Sequence, residues 1–215
     1  MIFDLFRKKE AKASLPSPLN LRLGAAVELD LLPYQMISEQ LRFPLPEGAQ
    51  TIEAAGFIDL GGGAALCRFY TADDGFIQVS STGGYDSQNI NDIKLLAFEQ
   101  THHIASQQGV DQWVSDSGAI GRSEFLLNDT VYKRVWDADV PGKIEAVKLT
   151  ESVYNKDSSS EPYDVDHLAM LYQRNIPGSD RYEYLLASLE FTDENEATAV
   201  LSLGIDLNVT SMTIM

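Results

Sequence analysis

Three times in this chain an arginine sits inside a strand-like apolar run, with a large apolar or aromatic residue two positions to either side. The instances are Leu66, Arg68, Tyr70; Tyr132, Arg134, Trp136; and Tyr172, Arg174, Ile176. Side chains two apart in a strand share a face, so each guanidinium falls on an otherwise apolar face. Arg cannot escape burial by losing its proton, and an unpaired buried charge is costly, so each needs partners. Asp59, Glu151, Glu183 and Glu190, in or beside apolar strands, are the candidate counter-charges. The favoured reading is ion pairs that fix strand register and add little net stability, because desolvation offsets the attraction. The other reading is a cleft in which one arginine holds a carboxylate or phosphate bidentately.

The rest of the pattern is also that of strands. From Gln50 onward, short apolar runs alternate with turn signals: Gly61 to Gly63, then Asp73, Asp74 and Gly75, then Asn128 to Thr130. Asp-Gly supplies the positive φ of a tight hairpin turn. Roughly ten strands are expected, with a helix from Asp30 to Leu41 and a short one around Val110, Trp113 and Val114. Parallel crossovers need helices that this pattern lacks. The expected class is α+β and β-rich, with mostly antiparallel sheets as a roll, a barrel-like closure or a sandwich, and two or three short helices. Its globular body should begin near Leu19 and either form one unit or divide into two similar halves near residue 120.

Sixteen basic against thirty-two acidic residues give a formal charge of −16, which argues against nucleic acid as a partner. The charge is uneven, because residues 1–22 carry a net +3 and leave −19 for the remainder. Within residues 1–13, Ile2, Leu5 and Phe6 stand at helical spacing and are followed by Arg7, Lys8 and Lys9. Such a segment can lie on an anionic membrane surface or dock on a partner; the plainer reading is a frayed terminus or a helix packed on its own domain. A Ser14 to Pro18 linker joins it to the body. With Cys67 as the sole cysteine, no intrachain disulfide can form. No run approaches a membrane span, and a cytoplasmic location, peripheral to the inner membrane at most, is expected.

Motifs that would carry chemistry are missing. His102 and His103 are adjacent, so in a strand they point to opposite faces, and His167 stands alone. The Gly61 to Gly63 run has neither phosphate-loop nor dinucleotide spacing. The loop from Asp86 to Asp92 departs from a calcium loop at its sixth and twelfth positions, Asn91 and Ala97. No catalytic residue, metal or cofactor is assigned.

The phrases GFIDLGGGAALCRFY (56–70), TVYKRVW (130–136), MLYQRNI (170–176), YEYLLASLE (182–190) and LSLGIDL (201–207) resemble the YjfK-like family of uncharacterised bacterial proteins. The likeness runs from about residue 20 to the end. It implies a role near the envelope or its stress response, because members are often encoded beside a phage-shock-protein-A-like protein and small membrane proteins. The expectation is a non-enzymatic binding or adaptor protein with a protein partner. The alternative is a small-molecule-binding protein or hydrolase with an Arg-lined cleft between two β-rich halves.

Overall fold

A computed structural model describes residues 15–156, 161–193 and 196–215 of the chain. The basic N-terminal segment with Ile2, Leu5, Phe6, Arg7, Lys8 and Lys9 lies outside the described residues, as do Asp157 and the three serines that follow it.

In chain order the elements are β1 (Ala26–Leu29), α1 (Leu32–Gln35), β2 (Gln50–Gly61), β3 (Ala64–Thr71), β4 (Gly75–Thr82), β5 (Ile90–Ile104), α2 (Gln107–Val114), β6 (Glu124–Leu127), β7 (Thr130–Arg134), β8 (Val147–Asn155), β9 (Tyr163–Asn175), β10 (Tyr182–Asp193), β11 (Glu196–Asp206) and β12 (Met212–Ile214). The hairpin turns are where the glycines and Asx residues predict them. Gly61, Gly62 and Gly63 all have positive φ, and Asn128 and Asp129 have φ of 46° and 64° in the two-residue β6–β7 turn.

Every strand pairing is antiparallel. Strands β2 to β5 form one four-stranded meander and β8 to β11 a second. First strand meets first strand, β2 on β8, and last meets last, β5 on β11. The result is a closed eight-stranded barrel, which selects the barrel from the three sheet forms the sequence allows. Residue 120 falls in the segment that connects the two meanders.

Strand alternation sorts the side chains into two cores. Ile58, Leu66, Phe76, Leu96, Leu149, Leu171 and Leu186 come from all round the barrel yet form one cluster, with only Tyr70, Val135, Trp136 and Val147 packed beside it. With so little to shield them, these residues must cover one another, so this is the barrel interior. The larger core lies on the outer wall. There Phe69, Ile77, Leu95, Leu185 and Leu203 are covered by Val27, Tyr34, Phe43 and Met212 from the chain's two ends, and by Ile120 and Phe125 from the segment after β5.

The helix expected from Asp30 to Leu41 is only one turn, α1, followed by a 3₁₀ turn over Ser38–Gln40. Pro33 in the first turn favours initiation, and Asp30 does accept the Leu32 N–H at 3.1 Å. Only Tyr34 of that turn is buried, so little apolar contact holds a longer helix. Among the described residues no helix is long and apolar enough to cross a membrane.

Candidate functional site

Leu66, Arg68 and Tyr70 on β3 all point into the barrel, and a charged network is built around the arginine. Arg68 is 2% exposed. Its Nε donates to Gln78 Oε1 at 3.0 Å and its Nη1 to Glu151 Oε2 at 2.6 Å. Glu151, fully buried on β8, accepts from the Tyr70 hydroxyl at 2.7 Å through its other oxygen. Strand β2 separates β3 from β8, and the two side chains meet across it because the residue between them is Gly56.

His167 on β9 completes the network. Its Nε2 lies 3.1 Å from Glu151 Oε2 and its Nδ1 lies 3.5 Å from Glu190 Oε1. Neither ring nitrogen is aligned for a directed hydrogen bond, so the contacts are electrostatic. Burial opposes charge on His167, but the carboxylates of Glu151 and Glu190 outweigh it and raise its pKa. Burial likewise opposes charge on Glu151, yet Arg68 and His167 bring its pKa down to about 2. Glu190 also accepts from Ser188 Oγ at 2.8 Å.

A second internal charge, Lys94 on β5, is 6% exposed. Its Nζ donates to Asp206 Oδ1 at 2.7 Å and to Asp92, and sits 3.9 Å from the centre of the Tyr184 ring. The Tyr184 hydroxyl closes the ring of contacts on Asp206 Oδ2 at 2.7 Å.

Arg174 and Glu183 are cross-strand partners facing the outer wall. Arg174 Nε donates to Glu183 Oε2 at 2.6 Å, as does the Tyr132 hydroxyl at 2.8 Å. The other oxygen, Oε1, accepts the backbone N–H groups of Arg42 at 2.6 Å and Phe43 at 2.8 Å. Arg174 Nη2 also donates to the Gln40 carbonyl at 2.8 Å. Residues 40–43 are thereby strapped to the barrel through one buried carboxylate.

Three sequence assignments are corrected: Glu190, which faces His167 and Ser188 and forms no salt bridge with an arginine among the described residues, Arg134 and Asp59. Among the described residues Arg134 meets no carboxylate; its guanidinium donates to the carbonyls of Gly121 at 2.7 Å, Gly142 at 2.8 Å, Asp137 at 3.0 Å and Val140. The irregular chain between β7 and β8 has carbonyls without strand partners, and one fork of N–H donors satisfies three of them together with the Gly121 carbonyl ahead of β6. Asp59 pairs with no arginine among the described residues either. It is exposed and accepts the Gly61 N–H at 2.8 Å, because it alternates with the inward Ile58 and so faces away from Arg68.

The residues that sequence reasoning passed over are His167, Gln78, Lys94 and Gly56. His167 and Lys94 carried a readable signal, since each is in phase with inward apolar residues, Ala169 and Leu171 for one and Leu96 for the other. His102 and His103 are exposed and gathered into no cluster. No group of three potential metal ligands occurs among the described residues. A depression of about 720 Å³ lies at β8, β9 and β10, lined by residues of both strand faces that include Lys148, Leu149, Thr150, His167, Leu168 and Phe191, and none of the three arginines lines it.

The fold and its site thus define a closed antiparallel barrel with an ion-paired interior, carrying most of its apolar core on the outer wall. The chain belongs to the family described as Protein of unknown function (DUF2491), which matches residues 1–213. It is similar to Uncharacterized protein YjfK of Escherichia coli (strain K12), with 34% identity over 98% of this chain and 96% of that protein. No solved structure matches.

Proposed function

We propose that the chain is a non-enzymatic binding or adaptor protein that meets a protein partner at the cytoplasmic face of the bacterial envelope, in connection with envelope stress. The observation that carries this reading is the internal engagement of Arg68: its Nε and Nη1 donate to Gln78 and Glu151, and Glu151 accepts from Tyr70 in turn, which supports an architectural role for the network. Function then falls to the outer surface and the termini. There Leu126 and Val131, direct cross-strand partners on the terminal β6–β7 hairpin, are 65% and 47% exposed. An apolar pair at the end of a sheet suits protein contact. The alternative, a small-molecule site or hydrolase, requires a guanidinium facing open space.

The basic head would supply the membrane contact, since anionic lipid repels a body of charge −19 and attracts Arg7, Lys8 and Lys9. Flotation with anionic and with neutral vesicles tests it. The full chain should float with anionic vesicles and release at raised salt, whereas a chain with Leu5→Asp and Phe6→Asp should stay in solution. Equal flotation of both chains overturns the membrane part of the reading.

A further inference from the structure

The hairpin of β6 and β7 leaves one row of main-chain groups without a strand to pair with. Among the described residues β6 pairs with β7 alone and stands last in the sheet order. The two-residue turn makes Leu127 and Thr130 a hydrogen-bonded pair, and the Arg134 N–H on the Ser123 carbonyl at 2.9 Å fixes the same phase at the other end of the strand. Ser123, Phe125 and Leu127 therefore bond toward β7, while the N–H and C=O groups of Glu124 and Leu126 point to the open edge. The next carbonyl along, that of Asn128, is already taken by Arg42 Nη2 at 2.6 Å. A groove of about 430 Å³ follows this edge, because the four consecutive residues Phe125 to Asn128, which belong to both strand faces, all line it together with Gln112 and Trp113 of α2. Glu124 is exposed, and although Lys133 is its cross-strand partner on β7, no salt bridge joins the two.

We infer that the β6 edge takes up one extended segment of a partner protein as an added strand, with an apolar residue opposite Leu126 and a lysine or arginine opposite Glu124. The main chain selects the form of the occupant: donors and acceptors directed outward at every second residue are met by an extended backbone. The exposed face selects its side chains. Glu124 and Leu126 share that face, so the residues they meet are two apart in the added segment. Leu126 is already paired with the exposed Val131, and the new apolar residue extends that pair into a row of three across the sheet. A second copy of the chain fits poorly, since it would bring another formal charge of −16 against this one. It would also pair only the four residues of β6, too few for the roughly 1,200 Å² that a stable interface buries. A lone segment that carries positive charge meets the acidic body with attraction instead, and an edge this short supports a weak, reversible contact. The inference rests on the adaptor reading and deepens it by giving the chemistry of the partner.

The test titrates the isotope-labelled full chain with the acetylated and amidated peptide Thr-Lys-Thr-Leu-Thr-Lys-Thr, whose pattern is the same in either strand direction. The Leu126 amide should shift downfield and exchange with solvent about tenfold more slowly at saturation, while the Phe125 and Leu127 amides, already bonded to β7, change little. A peptide with N-methylleucine at its centre keeps the side chain, loses the N–H and should bind about tenfold more weakly. Glu124→Lys, at an exposed position that leaves the core intact, should weaken the lysine peptide about fivefold and strengthen Thr-Glu-Thr-Leu-Thr-Glu-Thr by a similar factor. Leu126→Pro deletes an outward N–H from an edge strand and should abolish binding of both. No shift at Leu126 with the lysine peptide overturns the inference. So does equal binding of the N-methylated peptide, which would make the contact one of side chains alone and leave the adaptor reading standing. Protection of Leu126 that rises with protein concentration in the absence of peptide would mark a second copy as the occupant and overturns it as well.

Discussion

Gly56 and Glu151 are in a contact that no other residue at position 56 would permit: a Cβ there would stand 1.6 Å from Glu151 Oε1 and 2.5 Å from its carboxyl carbon. The carboxylate reaches Arg68 by lying over a strand position with no side chain. Gly56→Ala should therefore push Glu151 out of its bonds to Arg68 and Tyr70 and strand a buried charge, at a cost of about 3–5 kcal/mol. Urea unfolding measures it. A loss below about 1 kcal/mol, the scale of an ordinary glycine-to-alanine change, would contradict the contact.

The two titrating members of the network bound stability from opposite sides. Glu151, held at about 2 against an ordinary 4.5, contributes stability above pH 4.5 that is lost as pH falls toward 2. His167, raised above its ordinary 6.5, contributes below pH 6.5 and loses that contribution as pH rises through its folded value. The urea midpoint should thus be highest between about 4.5 and 6.5 and decline on both sides. His167→Gln should flatten the alkaline decline and lessen the acid one without removing it, because Arg68 still holds Glu151 down. An unchanged alkaline slope in that variant would contradict the assignment.

Glu183 holds the strap at residues 40–43 through two backbone N–H groups. Glu183→Ala leaves those donors, the Tyr132 hydroxyl and the Arg174 Nε without their acceptor in the outer core, with an expected loss of about 3 kcal/mol. Hydrogen exchange at the Arg42 and Phe43 amides should accelerate more than at β3 or β4. Uniform acceleration over the barrel would show that the strap is not a separable unit.

Arg134 serves four carbonyls with a planar fork, a geometry that an ammonium cannot reproduce. Arg134→Lys should cost about 2 kcal/mol and expose the 137–142 loop to proteolysis. Wild-type protection of that loop in the variant would contradict it.

What was legible in the sequence was local. Period-two alternation placed Arg68, Arg134 and Arg174 on apolar faces, and Asx and Gly residues marked the hairpins. Partner choice was not legible, because it depends on which strands become neighbours only when the barrel closes. Glu151 reaches Arg68 because β8 joins β2, a pairing between residues 83 positions apart in the chain for the two charged groups. Asp59 looked equally suitable and is one residue out of phase. Arg134 shows a further limit: carbonyl partners leave no trace in side-chain sequence. The short α1 shows that spacing of apolar residues does not make a helix when little of it is buried.

The most direct test is a double-mutant cycle on Arg68→Met and Glu151→Leu, read by urea unfolding. If the ion pair is architecture inside a closed barrel, each single change strands its partner and costs about 3–5 kcal/mol, while the double variant returns close to the parent. Single changes of under about 1 kcal/mol that simply add in the double variant would place the two charges in water and contradict the account.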